Sequence, residues 1–191
     1  MFGLLNYNQV QSRRIRQFDA YWRGKITTGT VPRRADIDPT ELKPLLPWMI
    51  IVEIEADPFR VLYRLAGTKV SEMNQYELTG RYLDELEEEE SAEFTRQGIA
   101  AYRQAWTEQR QVYGTYRWPT PSGSAYQVEF AIFPVSEAGP VGQCIALEDW
   151  EIDPVVAARH EPPIPYVKPS AGKTPPGKMS SQKTAPEKER K

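Results

Sequence analysis

"MIIVEIEADPFRVLYRLAG", Met49–Gly67, holds two runs of β-branched and aromatic residues on either side of Asp57-Pro58. In the first run Ile50, Val52 and Ile54 share one face, in the second Val61, Tyr63 and Leu65 do, and Glu53, Glu55 and Arg64 point the other way. A period of two predicts strands, and an Asp-Pro turn between two such runs predicts an antiparallel hairpin.

Upstream lies "PRRADIDPTELKPLLPW", Pro32–Trp48, where Asp38 precedes Pro39 and is followed three positions on by Glu41. That order reads as an acidic N-cap, a proline at the first helical position and a capping-box partner. Pro44 and Pro47 end the helix after about one turn, because proline lacks the N–H that a helix interior needs. Arg33, Arg34 and Asp36 take no part in this capping and are expected in salt bridges at the surface. Further upstream, Ile15, Phe18, Trp22 and Ile26 recur at helical spacing with Arg13, Arg14, Arg16 and Arg23 on other faces, until Gly24 stops the pattern. The amphipathic helix so predicted has one apolar stripe, which could dock on its own domain, pair with a second copy or lie on an anionic membrane.

Downstream, "TKVSEMNQYELTGRYLDEL" reads as short helices with a turn at Thr79-Gly80. The acidic run Glu87–Glu90 suits the positive end of a helix expected over residues 91–110, whose face of Phe94, Gly98, Ala101, Tyr102, Ala105 and Trp106 can lie on a sheet. Three more strands follow in "VYGTYRW", "SAYQVEFAIFPV" and "QCIALEDWEI", and the turns "PTPSG" and "EAGPVG" between them require antiparallel neighbours.

With 191 residues, 40% of them apolar, the chain can bury one substantial core. The longest apolar run, Leu45–Val52, includes Pro47 and falls far short of the roughly 18 to 20 residues a membrane-spanning helix requires. No spanning helix is expected, and with no signal-peptide pattern a cytoplasmic location is. The single cysteine, Cys144, excludes an intrachain disulfide and a zinc site built on several thiolates. From about Glu161 the chain turns rich in proline and lysine and lacks Leu, Phe and Trp, a composition that cannot offset the entropy of ordering. Residues 160–191 hold seven Lys or Arg against three Glu, so the tail is basic and the rest acidic. The expected division is a lead with the amphipathic helix over 1–30, a domain over 31–153 and a disordered basic tail over 154–191.

Two strands, a helical middle and three strands, in that order, resemble a PAS domain, and more closely a bacterial PAS-like family that often makes up most of a short protein. The likeness rests on "PRRADIDPTELKPLLPWMIIVEIE", "YRLAGTKVSEM", "ELTGRYLDEL" and "CIALEDWEI" and runs from about Ile15 to Ile152. Where such sequences often have an aromatic residue followed by glycine, this one has Asn74 and Gln75. The resemblance implies an α+β fold, a five-stranded antiparallel sheet with helices on one face, and a sensory or interaction role in which some relatives hold haem, flavin or a small ligand between sheet and helices.

Catalysis finds little footing in the residues. The only histidine, His160, stands at the start of the tail, which argues against Ser-His-Asp or Cys-His chemistry and against haem ligation. Cys144 is expected on the outer sheet face, away from a flavin, so no cofactor is required and neither haem nor covalent flavin is expected. A ligand pocket between sheet and long helix would be lined by Tyr63, Leu65, Met73, Tyr102, Trp106, Tyr116, Trp118, Phe130 and Ile132, with Asn74 or Gln75 as polar anchors. The outer face, with Leu62, Tyr113, Phe133 and Trp150, needs a cover, and Ile15, Phe18 and Trp22 supply one from the same chain or a partner's. A filled core is the favoured reading of that junction, so the function expected is a regulatory module acting through protein partners, as a homodimer through the N-terminal helix or otherwise, with small-ligand gating as a further option. The alternative is a peripheral adaptor that reaches an anionic membrane or nucleic acid through the basic helix and tail.

Overall fold

The computed structural model describes residues 2–75, 77–86, 92–119, 125–136 and 141–151. Glu87–Glu90, His160 and the basic tail lie outside the described residues. The hairpin forms as β2 (Met49–Ala56) and β3 (Phe59–Ala66), with Ile54 opposite Val61 and Val52 opposite Tyr63. β4 (Val112–Pro119), β5 (Ala125–Ser136) and β6 (Val141–Asp149) follow as an antiparallel meander, and β6 returns to pair with β2, Val52 facing Cys144.

A sixth strand corrects the expected five. β1 (Phe2–Leu5) pairs antiparallel with β4, Leu4 opposite Gly114, and gives the sheet order β1-β4-β5-β6-β2-β3. Four residues interrupted by Gly3 carry almost no alternation, and the partner strand is too far along the chain for a turn to mark the pair. Gly114 is needed there, since a Cβ would stand 2.3 Å from the Phe130 ring and 2.8 Å from the Gly3 carbonyl oxygen.

Helices cover both faces, the outer one through the amphipathic helix expected as a cover for it. α2 (Thr68–Asn74) and α3 (Ala92–Glu108) lie on the inner face, over a core that includes Val52, Val61, Val70, Tyr102, Val128 and Ile132. α1 (Arg13–Gly24) lies on the outer face, where Ile15, Phe18 and Trp22 pack with Tyr113, Phe133, Val135, Ile145 and Leu147. The reason is visible in β5, buried without a break from Val128 to Val135, which leaves neither side of the central strands fit for water. Each large side chain that α1 buries contributes roughly 1.5 to 3 kcal/mol. Among the described residues no helix is long and apolar enough to cross a membrane.

Polar contacts fix where α1 sits. Ser12 caps the helix, its hydroxyl accepting from the Ile15 N–H at 3.1 Å and donating to Asp149 at 2.6 Å. Its backbone N–H donates to Glu129 at 2.8 Å, and that of Gln11 does so at 2.9 Å. Glu129 and Asp149 are cross-strand partners, so two buried carboxylates stand side by side beneath the positive end of the helix. Arg14 adds an N–H to Asp149 at 2.8 Å. Farther along, buried Asp19 accepts from the Tyr113 hydroxyl, from Gln111 and from Arg23, and the Trp22 indole donates to the Pro134 carbonyl at 2.9 Å.

The proline-rich entry folds largely as its residues dictate. Asp38 accepts from the Thr40 N–H at 2.8 Å and Pro39 opens a 3-10 turn over Pro39–Leu42. Glu41 does not close a capping box. It pairs with Lys25 at 2.8 Å, while the Asp38 N–H donates to the Tyr21 hydroxyl. Arg33 meets Asp36 with two N–H bonds, at 2.9 and 2.7 Å. The entry then passes so close to Gly67 that a Cβ there would lie 2.4 Å from the carbonyl oxygens of both Leu46 and Pro47.

Candidate functional site

The inner face of the sheet under α3 collects aromatic and polar groups. β4 supplies Tyr116 and Trp118, β5 supplies Phe130 and Ile132, β3 supplies Tyr63 and α3 supplies Tyr102, all within or against one core. α3 meets the sheet through small residues, Ala101 and Ala105, which leave room for the rings opposite. Phe94 stands edge-on to Tyr116 with ring centroids 4.9 Å apart, and Phe2 of β1 reaches Phe130 at 5.1 Å, so the edge strand closes one end of the junction.

Of the expected pocket residues, Tyr63, Tyr102, Tyr116, Phe130 and Ile132 are buried in this junction, and Met73, Trp106 and Trp118 pack against it partly buried. Leu65 does not belong to it. The pairing of β2 with β3 slips between Ile51 and Val52, so that no β2 residue stands directly opposite Arg64 and Leu65 faces solvent with 45% of its surface exposed. Asn74 is buried, yet its amide donates to the Val70 carbonyl at 2.8 Å and so closes α2 instead of projecting as an anchor. Gln75 is exposed with φ at 59°, the left-handed residue that ends α2, where glycine is easiest to place.

β6 holds the residues that sequence reasoning put on the wrong side. Its alternation is as expected, but Ile145 and Leu147 face α1 while Cys144, Ala146 and Glu148 face α3. Both faces are covered, so apolarity could not tell one from the other. Cys144 is therefore an inner-core residue, and burial pushes its thiol up to about 12. Trp150 follows the same phase onto the inner side, 4.7 Å from Trp48 between ring centroids.

Glu148 is the group that was missed. Its carboxyl lies beside Tyr116 and Tyr102, which Tyr63 adjoins in turn, and burial drives it up to about 7 from 4.5, against hydrogen bonding from Tyr116, which lowers it. Burial also raises the Tyr102 and Tyr116 hydroxyls well above their ordinary range, with Tyr63 and Glu148 respectively adding to the effect. The signal was present in the sequence: Glu148 is in phase with Ala146 and Trp150, opposite Phe130.

The residues expected as a partner surface are placed differently. Ile15, Phe18, Trp22, Tyr113 and Phe133 are buried in the outer core by the chain's own α1, Leu62 is half-buried beside Tyr82, and Trp150 is on the inner side. A dimer using the α1 stripe would have to displace or exchange that helix. Among the described residues no three His, Cys, Asp or Glu side chains stand together in a way that could hold a metal ion.

The fold is an antiparallel sheet with helices on both faces and an aromatic junction beneath the longest of them. The family model of the PAS domain matches residues 10–142, and the chain belongs to that family. Its members are sensory and regulatory modules. A solved structure of an RNA-binding Light-Oxygen-Voltage receptor is similar at 21% identity with a TM-score of 0.43, over 68% of this chain and 37% of that one. No curated protein matches the chain.

Proposed function

We propose that this PAS domain is a regulatory module whose input is a small molecule held between the sheet and α3 and whose output is contact with a protein partner. The observation that supports the input is the gathering of Tyr63, Tyr102, Tyr116 and Glu148 inside an otherwise apolar junction. A core that serves stability alone gains nothing from a carboxyl whose charged form its surroundings disfavour. Ligand sites have this make-up, aromatic walls with a few convergent polar groups. The output is assigned to contact because members of the PAS family are sensory and regulatory modules, and Cys144, the one thiol, is held protonated.

The test uses the full chain purified under native conditions. Native mass spectrometry should show a bound small molecule, or a metabolite library should raise the melting temperature, with Tyr116→Phe and Glu148→Gln weakening the effect. A chain with no bound compound, and no compound in the library that shifts its melting, would overturn the input half. Affinity capture run with and without the identified compound tests the output half, which fails when the captured set is the same in both.

A further inference from the structure

Three buried acids of the outer face, Asp19, Glu129 and Asp149, each receive N–H donors: Arg23 and Gln111, the backbone of Gln11 and Ser12, and Arg14. Glu148 on the inner face is different. It has no ion-pair partner among the described residues, and the polar groups around it are phenol hydroxyls. No Lys, Arg or His is buried anywhere among the described residues. Glu148 is nonetheless half-buried, so it is enclosed by the core and still within reach of a molecule entering from solvent.

From this contrast, and resting on the reading of the junction as a ligand site, we infer that the ligand is a small organic cation, an amine or amidine attached to an aromatic or aliphatic body, whose N–H groups pair with Glu148 among Tyr63, Tyr102 and Tyr116. A carboxylate is acceptor-only and wants a charged N–H. The phenol oxygens beside it can accept the remaining N–H groups of such a cation. Without the cation, a proton takes its place on Glu148, as the raised carboxyl range indicates. Binding should accordingly release a proton near pH 6 and strengthen as the pH rises through 7.

The probes are two matched pairs, benzamidine against benzamide and phenethylamine against phenethyl alcohol, titrated into the full chain carrying fluorotyrosine and followed by fluorine NMR and calorimetry. The cations should bind about ten- to a hundredfold tighter than their neutral partners, a gap set by one charge-assisted hydrogen bond. They should also shift the Tyr63, Tyr102 and Tyr116 resonances, and Glu148→Gln should close the gap. Neutral probes that bind as well as the cations, with the same tyrosine shifts, would overturn the cation class while leaving the ligand site standing. Cation binding that moves none of the three tyrosines, or that survives Glu148→Gln, would also overturn it. Failure of both classes, together with an empty metabolite screen, would remove the ligand site itself. If Glu148→Gln does not fold, the cation-to-neutral ratio and the tyrosine shifts of the unmodified chain decide the question.

Discussion

Replacing Trp22 tests whether α1 is an integral cover of the outer sheet face. The side chain is 2% exposed, packs on Phe133 with ring centroids 6.0 Å apart, and donates its indole N–H to the Pro134 carbonyl at 2.9 Å. A buried tryptophan removes about 200 Å² from water, worth about 5 kcal/mol at 25 cal/mol per Å² as an upper bound. Measured aromatic-to-alanine losses of about 3 to 5 kcal/mol bracket the same figure. Trp22→Ala should therefore destabilise by about 4 kcal/mol, a large part of the roughly 5 to 15 kcal/mol that holds a domain together. Trp22→Phe keeps most of the ring and loses the hydrogen bond, so about 2 kcal/mol is expected. Urea unfolding followed by far-ultraviolet circular dichroism gives both values, and it should be run at two protein concentrations tenfold or more apart. A loss under about 1 kcal/mol for Trp22→Ala would refute the docking argument. A midpoint that rises with protein concentration would instead mean that the covering helix comes from a second copy.

Other consequences are as open to measurement. Gly67→Ala should cost more than about 3 kcal/mol or abolish soluble expression, because its Cβ would fall 2.4 Å from two backbone oxygens that no side-chain rotation can move. Ser12→Ala removes a helix cap and a buried bond to Asp149, and thermal melts should report a loss of about 2 kcal/mol. Glu148 sets a pH dependence of definite sign. Its carboxyl is raised from 4.5 to about 7 on folding, so the folded chain holds more protons between those values, and stability falls as the pH climbs through the window. Allowing for its partial exposure, the loss above pH 7 is on the order of 2 kcal/mol. The difference between the unmodified chain and Glu148→Gln should run flat below about pH 4.5, slope between and level off above; a difference that is constant with pH would disprove the assignment.

The alternation of Ile50, Val52 and Ile54, the capping aspartate at 38 and the stripe of Ile15, Phe18 and Trp22 were legible because each is a local pattern with a local cause. Three features were not, for a shared reason: each depends on a partner outside the run of residues that carries it. β1 is a strand only because β4 offers it an edge. Leu65 leaves the inner face because β2 and β3 slip by one residue, a shift that the sequence of neither strand announces. Glu41 had two possible partners, the Asp38 N–H and Lys25, and the fold brings Lys25 to it. The site was read in part. Tyr63, Tyr102, Tyr116 and Phe130 were found as apolar positions in phase, whereas Glu148 was passed over because carboxylates are common in the chain and β6 is buried on both sides.

That two-sided burial has a further consequence for β6. Successive residues Glu148 and Asp149 face opposite layers: the first joins the tyrosines under α3, and the second holds Ser12 and Arg14 of the α1 clamp. Across the ladder their partners are Phe130 and Glu129, which divide between the same two layers. A change at Glu148 that shifts the strand by a fraction of an ångström must move Asp149 with it, since adjacent residues share one peptide plane and a packed core does not deform smoothly. Glu148→Gln and Ser12→Ala should therefore be coupled, with the double variant departing from the sum of the two single losses by more than about 0.5 kcal/mol, the limit for independent sites. Urea unfolding of the four chains at pH 7.5 measures the cycle. Additivity within that limit would mean that β6 holds the two layers apart, and an input under α3 would then need a route to the surface that does not pass through α1.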